Sequence, residues 1–172
     1  MRRGRFLLLA VLVGGCSGPG LQSDWERAHL SETVQEEAVA PPRYPRAADL
    51  LAIDVPGSAG FRFFVDGASV AVGRDRVVRY ALVARSAQGA QNVTYEGIRC
   101  DSREYRIYAV GHGDGTWGGS PTAWQTLRGS AVAPARRALE HSYFCADALP
   151  VRDTGEALAA LRSPRRSPDT GD

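Results

Sequence analysis

Between Arg76 and Val110 three runs alternate in the manner of extended strands, and the connections between them are only a few residues long. In the run Arg76 to Arg85, Val78, Tyr80 and Leu82 share one face of an extended strand while Arg79 and Arg85 point the other way, because successive side chains alternate sides. Asn92 to Arg99 repeats the pattern after the polar link Ser86-Ala87-Gln88-Gly89-Ala90, and Glu104 to Val110 follows closely on Cys100. A parallel crossover needs a dozen residues or more. The runs are therefore expected to be antiparallel neighbours.

Two shorter runs precede them, Phe61 to Val65 and Ser69 to Val72, with Asp66-Gly67 between them as a turn signal. The expected sheet is a meander of about five or six strands. Gly111, Gly113, Gly115, Gly118 and Gly119 mark a loop around His112, Asp114 and Trp117. Pro134 offers a helix start, Ala135 to Phe144 is helix-compatible, and Glu156 to Arg162 suits a second short helix. The fold class is α+β: an antiparallel meander with one or two helices packed on it.

The ends of the chain differ in character from this body. Arg2, Arg3 and Arg5 precede an apolar run from Phe6 to Val13, which gives way to Gly14, Gly15 and Cys16. Basic start, apolar centre and small residues before a break are the pattern of a secretory signal peptide. The run is too short to span a bilayer, which takes about 20 apolar residues. Val13-Gly14-Gly15-Cys16 resembles the bacterial lipobox, which implies a signal peptide over 1–15 and diacylglycerol on the thiol of Cys16. The following Ser17, rather than aspartate, points by the usual sorting rule to the outer membrane. Two or three acyl chains give a stable anchor where one is marginal. Residues 16–45, rich in Gly, Pro, Ser and acids, read as a lipidated start and flexible tether. The globular domain is expected over 46–162 and a disordered tail over 163–172.

Charge and cysteine usage narrow the function classes. Removing Arg2, Arg3 and Arg5 from the formal charge of +2 leaves −1, so the mature chain has no bulk electrostatic claim on nucleic acid. All 21 basic residues are arginine. This excludes a Walker-type phosphate lysine, a Schiff-base lysine and a serine–lysine dyad, each of which needs an amine. Cys100 and Cys145 are the two cysteines of the body. Outside the cytosol they are expected to pair, closing a loop that stabilises the fold by about 4 kcal/mol in the chain-entropy model. Two buried free thiols are the alternative.

Several segments resemble a known family. Arg62-Phe63-Phe64-Val65-Asp66, Val78-Arg79-Tyr80, Asn92 to Cys100 and Arg103-Glu104-Tyr105 are similar to the cryptic neisserial protein 1-like family, and Gly115-Thr116-Trp117, Trp124 and Tyr143-Phe144-Cys145 fit as well. The likeness covers about residues 45 to 146. It implies a small exported protein and brings no catalytic residues with it.

Candidate chemistry is sparse. His29, His112 and His141 have no partners at metal-ligand spacing, and His112 with Asp114 is the best of a weak set; no metal or other cofactor is expected. Ser58, Ser120 and Ser130 lack a nucleophile elbow. Glu96 and Glu104 could face each other across a hairpin as the acid and base of a glycan hydrolase. The ordinary explanation of Glu96 is a solvated cross-strand ion pair with Arg99, Arg103 or Arg106. The most suggestive group mixes Tyr95, Tyr105, Tyr108, Trp117 and Trp124 with those three arginines. Such side chains favour peptide or glycan grooves, and Tyr95, Arg99, Arg103, Trp117 and Trp124 form the candidate ligand surface. Strand alternation argues the other way, assigning rings to the core face and arginines to the surface. The leading expectation is a non-enzymatic envelope lipoprotein that binds an envelope protein or glycan. An envelope hydrolase and a purely structural protein are the alternatives.

Overall fold

The computed structural model describes residues 36–58, 60–119, 121–129, 134–146 and 148–163. The leader, Cys16 and the tail from 164 lie outside the described residues. Five long or medium strands run side by side in chain order, each antiparallel to the one before: β1 (Leu50–Ile53), β2 (Phe61–Val72), β3 (Val77–Ser86), β4 (Gln91–Arg99) and β5 (Glu104–Gly111). Two short strands pair with the outer edge of β5, β6 (Trp117–Gly118) at its end and β7 (Gln125–Thr126) at its start. The short connections do enforce a meander, and β6 recruits part of the glycine loop into it. Among the described residues no helix is long and apolar enough to cross a membrane.

One face of this sheet carries the helices. Pro134 opens α1 (Pro134–Ala138), which widens into a π-helical stretch, Leu139–Phe144. A small hairpin of β8 (Cys145–Ala146) and β9 (Leu149–Pro150) leads to α2 (Thr154–Arg162), whose first turn is capped by the Asp153 carboxylate accepting from Glu156 N at 2.9 Å. Alternation sets the core: Val78, Tyr80 and Leu82 of β3 and Ile98 of β4 meet Leu139, Tyr143, Phe144, Ala157 and Leu161 of the helical layer. The Tyr80 and Phe144 rings pack 5.3 Å apart, and the Tyr143 hydroxyl accepts from Asp54 N at 2.8 Å. The disulfide Cys100–Cys145 joins the end of β4 to the end of the π-helical stretch, with Cα atoms 5.4 Å apart.

Asp66-Gly67 is not a hairpin turn. The two runs around it form the single strand β2, whose register with β3 shifts between Asp66 and Ala71. Ser69 bridges the interruption: its hydroxyl donates to Asp66 O at 2.6 Å and accepts from Ala81 N at 2.8 Å, supplying the partner that the bulged ladder lacks. A Cβ on Gly67 would lie 3.2 Å from Leu51 Cδ1, closer than side-chain carbons ordinarily pack, so the bare backbone leaves room for that leucine.

Candidate functional site

The face opposite the helices is made by Arg79, Tyr95, Gly97, Arg99 and Arg106, with β5 bulged so that Tyr108 and Ala109 both join it. Residues 36–45, the last part of the segment read as tether, lie against this face. Among the described residues no backbone ladder holds them there. Side chains do: Asp75 accepts from Glu37 N at 2.9 Å, Arg79 donates to Glu37 O at 3.4 Å, the Trp117 indole donates to Pro42 O at 2.7 Å, and the Tyr44 hydroxyl donates to His112 O at 2.9 Å. Val39 and Trp117 pack against the cluster of Tyr95, Tyr108 and Ala109. This strap is the second layer over the sheet.

Its first described residue carries the densest chemistry. The Glu36 carboxylate accepts from Arg106 Nη1 at 2.6 Å, the Tyr108 hydroxyl at 2.6 Å and the Trp124 indole at 3.0 Å, and Arg99 Nη2 lies 3.7 Å away. Arg99 in turn stacks on Trp124 at 4.0 Å, and Arg106 lies over the Tyr108 ring at 5.6 Å. Trp124 reaches the cradle because its segment is sewn to β5, Thr122 N donating to Ile107 O at 2.9 Å and Thr122 Oγ1 accepting from Ile107 N at 3.1 Å. Burial raises the Glu36 carboxyl, but the bonds from Tyr108, Trp124 and Arg106 outweigh it, and the net result lies below the ordinary carboxylate value. Tyr108 moves the opposite way, pushed well up by burial and by its bond to Glu36. Beside them Arg79, almost wholly buried, is bonded to Asp75 through both ends of its guanidinium and lies 5.5 Å from the Tyr108 ring centre.

Four of the five residues of the sequence-derived surface meet under the strap. Tyr95 packs on Tyr108 and Trp117, Arg99 and Trp124 flank Glu36, and Trp117 binds Pro42. Arg103 does not join them. It occupies the β4–β5 turn at φ 53° and pairs with Glu140 of the helical layer at 2.9 Å. The expected division of rings from arginines fails here, because the strap turns an outward face into an interior where both are needed. Tyr105 keeps to the helical side, bonded to Gln125 at 2.8 Å with Arg136 over its ring at 4.5 Å. Glu36 itself was hidden by its place among acids and prolines; the apolar Val39 between Glu37 and Pro41 is the signal that the segment packs.

The proposed hydrolase pair is not a pair. Glu96 is fully buried on the helical face, held by Arg136 at 2.6 and 2.8 Å, by the Thr94 hydroxyl at 2.6 Å and by the Tyr80 hydroxyl at 3.3 Å. Glu104 stands opposite Arg99 in register, on the strap side of the sheet. Two carboxylates on opposite faces cannot flank one glycosidic bond. The surface ion pair with Arg99, Arg103 or Arg106 is also replaced, by a buried one with Arg136. In the glycine loop Asp114 accepts from both the N–H and the hydroxyl of Thr116, at 3.0 and 2.7 Å, which spends it on the turn. Among the described residues no three His, Cys, Asp or Glu side chains gather as a metal set.

No curated protein and no solved structure matches the chain. The model of the CNP1-like family matches residues 29–162, a span that takes in the strap, the sheet and both helices. Most of the chain lies within that match, and the chain belongs to the CNP1-like family.

Proposed function

We propose that the protein is a non-enzymatic lipoprotein of the cell envelope, anchored through Cys16 at the periplasmic face of the outer membrane, where its domain binds or helps assemble another envelope component. The lipobox-like Val13-Gly14-Gly15-Cys16 supports the anchor. The observation that carries the binding role is the convergence of Arg99, Arg106, Tyr108 and Trp124 on one carboxylate at the outer sheet face. Arginine and large aromatics packed together are the groups that dominate binding interfaces. The carboxylates that would have served a hydrolase lie on opposite faces of the sheet, and Glu96 is held by Arg136.

Photo-crosslinking in intact cells tests the role. A photoreactive residue at Pro121, beside the strap, or at Leu149, on the far hairpin, should capture a reproducible envelope partner from at least one position. Recovery of the protein only as itself from both positions contradicts the binding role. The anchor is checked separately by mass: the mature N-terminus should carry acyl groups, and Cys16→Ser should release the chain from the membrane fraction.

A further inference from the structure

The strap is held as a ligand is held. Its backbone is read by Asp75, Arg79 and Trp117, its carboxylate by four converging donors, and Val39 by an aromatic patch. An indole donating to the carbonyl of Pro42, just after Pro41, is the contact by which aromatic grooves dock extended proline-containing segments.

The strap also underuses the groove. Two guanidiniums, Arg99 and Arg106, share the single Glu36 carboxylate. Among the described residues the buried Nε atoms of Arg79 and Arg106 have no hydrogen-bond acceptor, although the Arg79 side chain is only 2% exposed. Beside Val39 a hollow of about 250 Å³ remains between Pro41, Tyr108, Ala109 and Trp117. A valine does not fill it.

Resting on the binding role above, we propose that this face is a peptide groove for an acidic, extended, proline-containing segment of a partner protein. The partner's segment carries a glutamate in the place of Glu36 and, three residues on, an apolar side chain larger than valine. Residues 36–42 hold the groove as the chain's own surrogate. A tethered surrogate competes at the effective concentration its linkage confers, so the free site becomes measurable when the surrogate is weakened.

The test uses the purified full chain and a labelled synthetic peptide with the sequence of residues 35–44 and leucine in place of Val39. Fluorescence anisotropy should show saturable binding to the Glu36→Gln chain, about tenfold tighter than to the unaltered chain, as expected when an intramolecular competitor loses a charge-assisted contact. Replacing the peptide's first glutamate by glutamine, or Arg106 of the chain by glutamine, should weaken binding about tenfold or more, while Leu149→Ala should leave it unchanged. The leucine peptide should bind more tightly than the valine peptide; equal or weaker binding removes the hollow from the proposal. Val39→Ser provides a second loosened chain. Absence of saturable binding to both loosened chains, each folded by circular dichroism with its disulfide intact, overturns the groove, as does binding indifferent to the peptide's glutamate. If the peptide fails while an envelope partner still crosslinks, the groove is lost and the binding role stands. Loss of every crosslinked partner removes the role itself.

Discussion

Single positions decide whether the outer face closes. A Cβ on Gly97 would lie 2.8 Å from both Tyr108 Cε2 and Val77 Cγ1, so the Tyr108 hydroxyl reaches Glu36 only because β4 offers a bare backbone beneath its ring. Gly97→Ala should cost about 1–3 kcal/mol by overpacking, read as a lower urea midpoint; a change below about 0.5 kcal/mol would mean the ring is not seated there. Asp66 presents the reverse problem. It is fully buried, its Oδ2 has no partner among the described residues, and burial pushes its carboxyl above the ordinary value. Stability should therefore fall as pH rises from the unfolded value, about 3.9, through the raised folded value. Asp66→Asn should be more stable than the unaltered chain at pH 7, by about 1 kcal/mol, with the gain disappearing in acid; a loss of stability at pH 7 would show that the charge is compensated. Neither position announces itself in sequence. Gly97 sits in an otherwise regular strand pattern, and Asp66-Gly67 imitates a turn because bulges and turns recruit the same residues.

Elements were more legible than the contacts between them. Strands β3, β4 and β5 follow from period-two alternation alone, since a slip of one residue would turn Val78, Tyr80 and Leu82 away from the helices. The helix after Pro134 follows from its proline start and its apolar side, but its docking does not, because the partner that orients it lies 40 residues upstream. Arg136 of α1 reaches Glu96 with two hydrogen bonds while only 15% of its side chain is exposed. Removing one member of such a pair strands the other, and Glu96→Gln should cost about 3 kcal/mol or more, whereas adding Arg136→Met should recover part of the loss. Chemical denaturation of the three variants gives the coupling; additive losses would mean that the pair does not fix α1 on the sheet.

At the scale of the molecule, the sheet is covered twice, by the helices on one face and by the strap on the other. The disulfide secures the first cover across a separation of 45 residues, and its removal by Cys100→Ala/Cys145→Ala should cost about 2–5 kcal/mol. Thermal unfolding with and without reductant measures it; equal midpoints would show that the bridge adds no constraint. The second cover was the part least visible in sequence, since tether composition conceals a segment whose hold comes from side chains elsewhere. That hold centres on Glu36. Its folded value lies below the unfolded one, so its contribution is present above about pH 4.3 and is lost as pH falls through the lowered folded value. The direct measurement is a carboxyl-carbon NMR titration of Glu36 in the full chain. The cradle requires a midpoint below that of an ordinary glutamate, returning toward it in Arg106→Gln; a midpoint at the ordinary value, unchanged by that substitution, would contradict a carboxylate-binding outer face.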